Sequence, residues 1–278
     1  MEGRTIALYG DSDSGKTTQF GELAKYHFKK DGRKSILHTA DKGGYESIKP
    51  LVRLGLIDID EPGEGDDPWI WLNHAASDPI DSSVYALVGY DSATSISEML
   101  LDYCANSKVN IGTAKSQRFT VSSGSEHLVV GSTNEGHYLV VQNFMLNKIF
   151  KSTWYRKQGV DVLWTFSTLR GESSDRVEIV GPMMGAGKAL TPKLPKWFEY
   201  TFRLVVIAEL DKPARHVLYL QPQPDMSGTI SFGNSRYPLD AITELPASIE
   251  PASLVTAFEL IQQGQDEAEQ RLKEELGM

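Results

Sequence analysis

Eight residues near the start of the chain, Gly10-Asp11-Ser12-Asp13-Ser14-Gly15-Lys16-Thr17, carry its strongest chemical signal. They match the pattern G-x-x-x-x-G-K-[ST] in full. Glycines let backbone N–H groups turn inward around phosphate oxygens, and a helix beginning there adds the partial positive charge of its N-terminus. The Lys16 amine suits the β- and γ-phosphates of a nucleoside triphosphate, and the Thr17 hydroxyl suits Mg²⁺. With Thr18 as the exit from the turn, residues 10–18 form the candidate nucleotide-binding segment. Asp11 and Asp13 are unexpected in a loop meant for polyphosphate. They point to solvent or to a neighbour, or else they weaken nucleotide affinity.

Two further carboxylates follow apolar runs. Val84-Tyr85-Ala86-Leu87-Val88-Gly89-Tyr90-Asp91 has the form of a strand whose terminal carboxylate holds the hydration shell of Mg²⁺. Ser35-Ile36-Leu37-His38-Thr39 ends at Ala40 and Asp41. Ligand groups gather at the carboxyl ends of strands in an open α/β sheet. Asp41 could there orient or deprotonate an attacking water; it could equally begin a turn or cap the helix that follows. Glu46 is a reserve candidate for the same role. A third run, residues 160–168, ends in Ser167 and Thr168 with Arg170 beyond, a place for a γ-phosphate sensor or simply a polar turn.

Positioning these groups requires strands alternating with helices. The run Thr5-Ile6-Ala7-Leu8-Tyr9 reads as the strand before the glycine loop, and Phe20, Leu23, Ala24, His27 and Phe28 fall on one helical face after it. Lys29, Lys30 and Gly32 end that helix. Helices are also expected over residues 46–54, 95–103 and 138–157, and strands over 200–209 and 216–221 with Asp211-Lys212-Pro213 as a hairpin turn. This predicts an α/β fold: a mostly parallel twisted sheet, helices on both faces, and a late antiparallel hairpin.

Two segments fall outside that alternation. Residues 106–137 read as a β-hairpin insertion, with strand-like runs over 118–122 and 127–131 and a basic bias from Lys108, Lys115 and Arg118. It is either a contact surface or a decoration. Residues 171–196 read as a long glycine-bearing loop carrying Lys188 and Lys193, which could line a polyanion path. Trp197 and Phe198 would dock its end in the core. The expected domain division is a core over 1–248 and a helical tail over 249–278, with Leu254, Phe258 and Ile261 as the apolar stripe of that helix.

Composition narrows the setting. The 278 residues, 40% hydrophobic and 23% charged, exclude a fibre or a disordered chain. One cysteine, Cys104, allows no internal disulfide and no thiolate zinc cluster. No apolar run approaches the ~18 residues of a membrane helix, and residues 1–4 lack a signal region, so a cytoplasmic protein is expected. With 28 basic and 37 acidic residues the formal net charge is −9, so nucleic-acid binding would need a local basic groove or the ordering of many subunits along a strand.

The order of these segments resembles that of RecA-like ATPases. Residues 10–17, Asp41, Val88-Gly89-Tyr90-Asp91-Ser92, Ser167-Thr168 and the glycine-bearing stretch before Phe198-Glu199-Tyr200-Thr201-Phe202-Arg203-Leu204 carry the likeness. Within that group the chain is similar to the short phage-encoded RecA-like ATPases, which include single-strand annealing proteins. Size, the Gly181-Pro182-Met183-Met184-Gly185-Ala186-Gly187-Lys188 stretch, and the segment from Arg236-Tyr237-Pro238-Leu239 to Leu245-Pro246 extend the likeness over roughly residues 5–260.

The resemblance implies that Lys16, Thr17 and Asp91 bind Mg-ATP, and that Asp41 replaces the glutamate with which the family polarises water. It places DNA contacts near Lys108, Lys115, Arg118 and Lys188. It implies single-stranded DNA, further copies of the chain and a single-strand DNA-binding protein as partners, in the cytoplasm of a host cell. Gln221-Pro222-Gln223 stands where some relatives carry lysines that reach a neighbour's ATP. A nucleotide-switched assembly or packaging factor with protein partners is the alternative, and a small-molecule P-loop kinase a more distant one.

Overall fold

The computed structural model describes residues 2–106, 117–123, 126–132, 135–172, 178–185, 194–222, 230–231, 234–238 and 241–278. In chain order the elements are β1 (Thr5–Gly10), α1 (Lys16–Asp31), β2 (Lys34–Thr39), α2 (Lys49–Arg53), β3 (Ile57–Asp60), α3 (Pro68–Ser77), β4 (Tyr85–Asp91) and α4 (Ala93–Asn106). Then come β5 (Gln117–Ser123), β6 (Glu126–Ser132), α5 (Glu135–Ser152), β7 (Asp161–Glu172), β8 (Glu178–Met183), β9 (Tyr200–Ile207) and β10 (Arg215–Tyr219). Short strands β11 (Ile230–Ser231), β12 (Asn234–Ser235) and β13 (Ser248–Ile249) precede α6 (Leu254–Leu276).

The spine of the main sheet runs β13-β10-β9-β1-β7-β4-β2-β3. From β9 to β3 every neighbouring pair is parallel, and β10 returns antiparallel to β9 as the expected hairpin. The α/β class read from the sequence is therefore the class observed. Every residue of β1 is buried, as a central parallel strand requires.

Alternation along β1 sorts the core into two layers. Ala7 and Tyr9 face a layer with Leu72 of α3, Ile96 and Leu100 of α4, and Val141, Met145 and Ile149 of α5. Ile6 and Leu8 face the other, with Phe20, Leu23 and Ala24 of α1 and Leu254, Phe258 and Ile261 of α6. The apolar stripe predicted on the last helix is thus core-facing, and so are Phe20, Leu23, Ala24 and His27 of the first, whereas Phe28 is 39% exposed. Gly89, inside β4, is fixed by close approach: a Cβ there would lie 2.5 Å from the Phe20 ring. A larger residue would push α1, and with it the glycine loop, off the sheet.

Several expectations change. The helix expected over 46–54 is a 3₁₀ turn, Glu46–Ile48, followed by α2. The helix expected over 138–157 begins earlier, at Glu135, and gives way after Ser152 to a 3₁₀ turn, Thr153–Gln158, closed by Gly159 in the left-handed region. The segment 171–196 is not loop throughout. β7 continues to Glu172 and pairs antiparallel with β8, because strand pairing satisfies backbone groups that a loop would leave to water. Both β3 and α3 are additional. Asp67 caps α3 by accepting from the N–H groups of Trp69 and Ile70, with Pro68 in its first turn. The insertion does contain a hairpin, β5 with β6. Lys108, Lys115, Lys188 and Lys193 lie outside the described residues, and Arg118 is described only as a backbone position of β5. Among the described residues no helix is long and apolar enough to cross a membrane.

Candidate active site

β1 ends at Gly10 and the chain turns directly into α1. Asp13 (φ 60°) and Gly15 (φ 97°) both take left-handed backbone, folding residues 10–15 back over the helix start. Gln19 is the residue whose N–H bonds back to Gly15, so the N–H groups of the first turn point out of the helix end. There the helix dipole favours an anion. Lys16 Nζ donates to the carbonyl oxygens of Gly10 and Asp11, each at 2.9 Å. Burial pulls the Lys16 amine below its ordinary pKa, against the opposing pull of Asp91, Asp11, Asp13 and Asp41.

Thr17 and Asp91 meet. The Thr17 hydroxyl donates to Asp91 Oδ2 at 2.6 Å, and the Thr165 hydroxyl donates to Asp91 Oδ1. β7 lies between β1 and β4, which puts Thr165 beside the carboxylate and leaves Asp91 only 8% exposed. A hydroxyl and a carboxylate are hard oxygen donors of the kind Mg²⁺ takes. Among the described residues no group of three His, Cys, Asp or Glu could hold a metal ion alone.

Asp41 begins a turn at the carboxyl end of β2 and also faces the cleft. Its carbonyl accepts from Gly44 N–H in a turn, and its carboxylate Oδ2 accepts from the Ser95 hydroxyl at 2.9 Å. Ser95 is in turn 2.9 Å from the Ser92 hydroxyl, next to Asp91. Burial raises the Asp41 pKa; the Ser95 hydrogen bond lowers it, the Asp91 charge raises it and Lys16 lowers it, for a net rise. Glu98, on the same helix as Ser95, is raised by burial and by Asp41. The carboxylate of the reserve candidate, Glu46, is held by Lys49 at 2.6 Å on the cleft wall.

The unexpected carboxylates are exposed. Asp11 lies 3.8 Å from the Arg170 guanidinium on β7, a pairing between a loop and a strand end that the sequence singled out separately. Asp13, Ser12 and Thr18 line the cleft mouth, while Ser14 is buried and turned inward. Ser167 also reaches the cleft, and its N–H donates to the Thr94 hydroxyl at 3.0 Å. Thr94 in turn donates to the Met183 carbonyl at 2.6 Å, tying α4 to both strands of the β7–β8 hairpin.

Thr165, Ser95 and Thr94 were not singled out by sequence. Each is an ordinary hydroxyl residue that becomes informative only once the strand order is known, β7 beside β4 for Thr165 and Thr94 and β2 beside β4 for Ser95. The cleft they border has a volume of about 1440 Å³ and is walled by the P-loop, residues 40–47, residues 62–68 and α4. Its lining carries Asp13, Asp41, Glu46, Glu64, Asp66, Asp91 and Asp102 against Lys16 and Lys42. Lys16 and Lys42 are the cations that a polyanion would meet on that lining.

Fold and loop together define an α/β protein with a P-loop at the carboxyl end of its central strand. No family model matches the chain, and no curated protein matches it. Among solved structures it is similar to a KaiC-like protein from the hyperthermophilic archaeon Pyrococcus horikoshii. The two chains are 12% identical, the match covers 90% of this chain and 89% of that one, and the TM-score is 0.45.

Proposed function

We propose that this protein is a RecA-like P-loop ATPase that binds and hydrolyses Mg-ATP and acts on single-stranded DNA in recombination, by annealing or strand pairing. The observation that carries the ATPase part is the Thr17–Asp91 contact of 2.6 Å beside Lys16, at the start of α1. In this reading Lys16 leaves the loop carbonyls for the β- and γ-phosphates, where its short range makes it a point charge. Thr17 and Asp91 hold Mg²⁺, which when bound neutralises charge developing on the phosphates. Asp41 orients the attacking water and takes its proton at Oδ1, since Oδ2 is held by Ser95. The single-stranded DNA part rests on the sequence resemblance.

ATP hydrolysis by the wild type and Lys16→Ala, each with and without single-stranded DNA, tests both parts. Turnover is expected to fall at least ~100-fold in Lys16→Ala and to rise with DNA in the wild type. Equal turnover in the two proteins would remove the nucleotide site; no response to DNA would remove the DNA part alone. The carboxylate-rich cleft wall favours a second reading, a nucleotide-switched assembly factor that receives a basic protein segment. A change of oligomer size with a non-hydrolysable ATP analogue, in the absence of DNA, would favour that one.

A further inference from the structure

At the opposite end of the sheet from the P-loop, three aromatic side chains and two lysines share one surface, and a third lysine, Lys151, follows Phe150 in the chain. Phe150 closes α5, Trp154 lies in the 3₁₀ turn after it, and Trp197 precedes β9. Phe150 is 45% exposed and Trp154 55% exposed, unusual values for residues of this size in a folded chain. The Phe150 ring sits 6.4 Å from Trp154 and 5.8 Å from Trp197, edge to face with both, so the three rings form a continuous ridge whose Trp197 end is half-buried against the core, as expected from the sequence. Lys157 Nζ lies 4.5 Å from the centre of the Trp154 ring, and Lys196 Nζ lies 5.4 Å from that of Trp197.

The surface is basic in a chain of formal net charge −9. Residues 150–158 contain no carboxylate, and residues 194–199 contain only Glu199, which is paired with Arg156. Lys151, Lys157 and Lys196 are all exposed. A polyanion with flat apolar groups complements that combination, and a single-stranded nucleic acid is such a molecule. A lysine over an exposed ring is held less firmly than a base stacks. An arriving base can therefore displace the ammonium from the ring face and leave it free to meet a phosphate.

We infer that the ridge of Phe150, Trp154 and Trp197, with Lys151, Lys157 and Lys196, is a stacking platform for single-stranded nucleic acid. The inference rests on the DNA part of the proposed function and assigns the strand to other residues than Lys108, Lys115, Arg118 and Lys188, to which the sequence resemblance points. The platform stands at the amino ends of β7 and β9, whereas Asp91 and the P-loop lie at the carboxyl ends of β4 and β1. Strands of this length separate the two by roughly 20 Å, so strand and nucleotide would bind at opposite poles of the sheet.

The test is anisotropy of a fluorescently labelled oligothymidylate of about 20 nucleotides across a salt series. The proteins are the full-length wild type, Trp154→Ala, Trp154→Phe and the double variant Lys157→Ala/Lys196→Ala. Trp154→Ala should weaken binding about 5- to 150-fold, with Trp154→Phe close to wild type. The double variant should lower the slope of log affinity against log salt by about 1.4. ATP turnover without DNA should stay unchanged in all three, showing that they fold. Wild-type affinity and salt slope in the variants would overturn the platform and leave the DNA reading standing. No binding by the wild type would overturn both. Capture of anionic phosphatidylserine vesicles, lost in the same variants while the oligonucleotide goes unbound, would assign the surface to lipid headgroups instead.

Discussion

Two buried aspartates on neighbouring strands mark opposite ends of the sheet and are held in opposite ways. Asp161, 4% exposed at the start of β7, accepts from the Arg4 backbone N–H at 2.6 Å and lies 3.0 Å from His27 Nε2. Asp91, 8% exposed at the end of β4, is met by the hydroxyls of Thr17 and Thr165. A backbone N–H has a fixed direction and the His27 ring is locked in the core, so the Asp161 cluster is complete in itself. Hydroxyls rotate, and each can accept as readily as donate. The Asp91 cluster can thus open to admit a cation without moving the backbone. If the proposed function holds, partner type separates a structural carboxylate from a functional one where burial does not.

The largest test of that contrast is a pair of substitutions. Asp91→Ala should cost at least ~100-fold in ATP turnover and shift the Mg²⁺ dependence, with the melting temperature near wild type. Asp161→Ala should do the reverse. Each stranded donor costs about 1–3 kcal/mol, so melting should fall by at least ~4 °C while turnover per folded molecule holds. Calorimetry and a magnesium titration read both. A normal magnesium response in Asp91→Ala would take that residue out of the site.

Asp41 sharpens the comparison, because its environment disfavours the charge it carries. Asp41→Asn keeps an acceptor for Ser95 and removes the base, so turnover should drop about 10²–10⁴-fold. Its raised pKa makes the ionised form a burden on the folded state at neutral pH. Melting should therefore hold or rise at pH 7. A fall of several degrees would make Asp41 a structural turn residue.

Much of this site was legible in the sequence because its signals are local. The P-loop is contiguous, and Asp41 and Asp91 each end an apolar run that reads as a strand. What escaped depends on strand order. Thr165 meets Asp91 across 74 positions of chain, through the insertion of β7 between β1 and β4. Ser95 reaches Asp41 across 54 positions. No spacing rule spans such gaps. β3 was missed because Ile57-Asp58-Ile59-Asp60 is shorter than most strands, and β8 because Gly181 and Pro182 read as loop residues when considered alone.

Ser95 offers a smaller effect with a definite sign. Its hydrogen bond is one of the influences that lower the Asp41 pKa, so Ser95→Ala should raise that pKa further. The acid limb of the pH–rate profile should move to higher pH, with a loss of only a few-fold at neutrality. A limb that stays in place would separate Ser95 from the base.

The smallest effect asks whether position at the carboxyl end of the sheet is enough to make a carboxylate functional. Asp60 ends β3 at that pole, and its Oδ2 lies 2.7 Å from His38 Nδ1 and accepts from Trp71 Nε1 at 3.0 Å. His38 stacks on Tyr90, the neighbour of Asp91, at 5.1 Å between ring centres. By the partner criterion Asp60 is structural, since ring nitrogens fixed by packing hold it as they hold Asp161. Burial pushes its pKa up, but the His38 and Trp71 contacts outweigh that and leave it below the usual carboxylate value. A carboxylate lowered in the folded state stabilises above its unfolded pKa of about 3.9, and that stability is lost as pH falls through the folded value. The group is 39% exposed, and solvent screening reduces the contribution to about 1 kcal/mol or less. Asp60→Asn should therefore melt a few degrees lower than wild type at pH 7, the gap closing as pH drops below about 4. ATP turnover per folded molecule should not change. A large loss of turnover would mean that the His38–Asp60 pair reaches the metal side through Tyr90, and that pole rather than partner decides which carboxylates act.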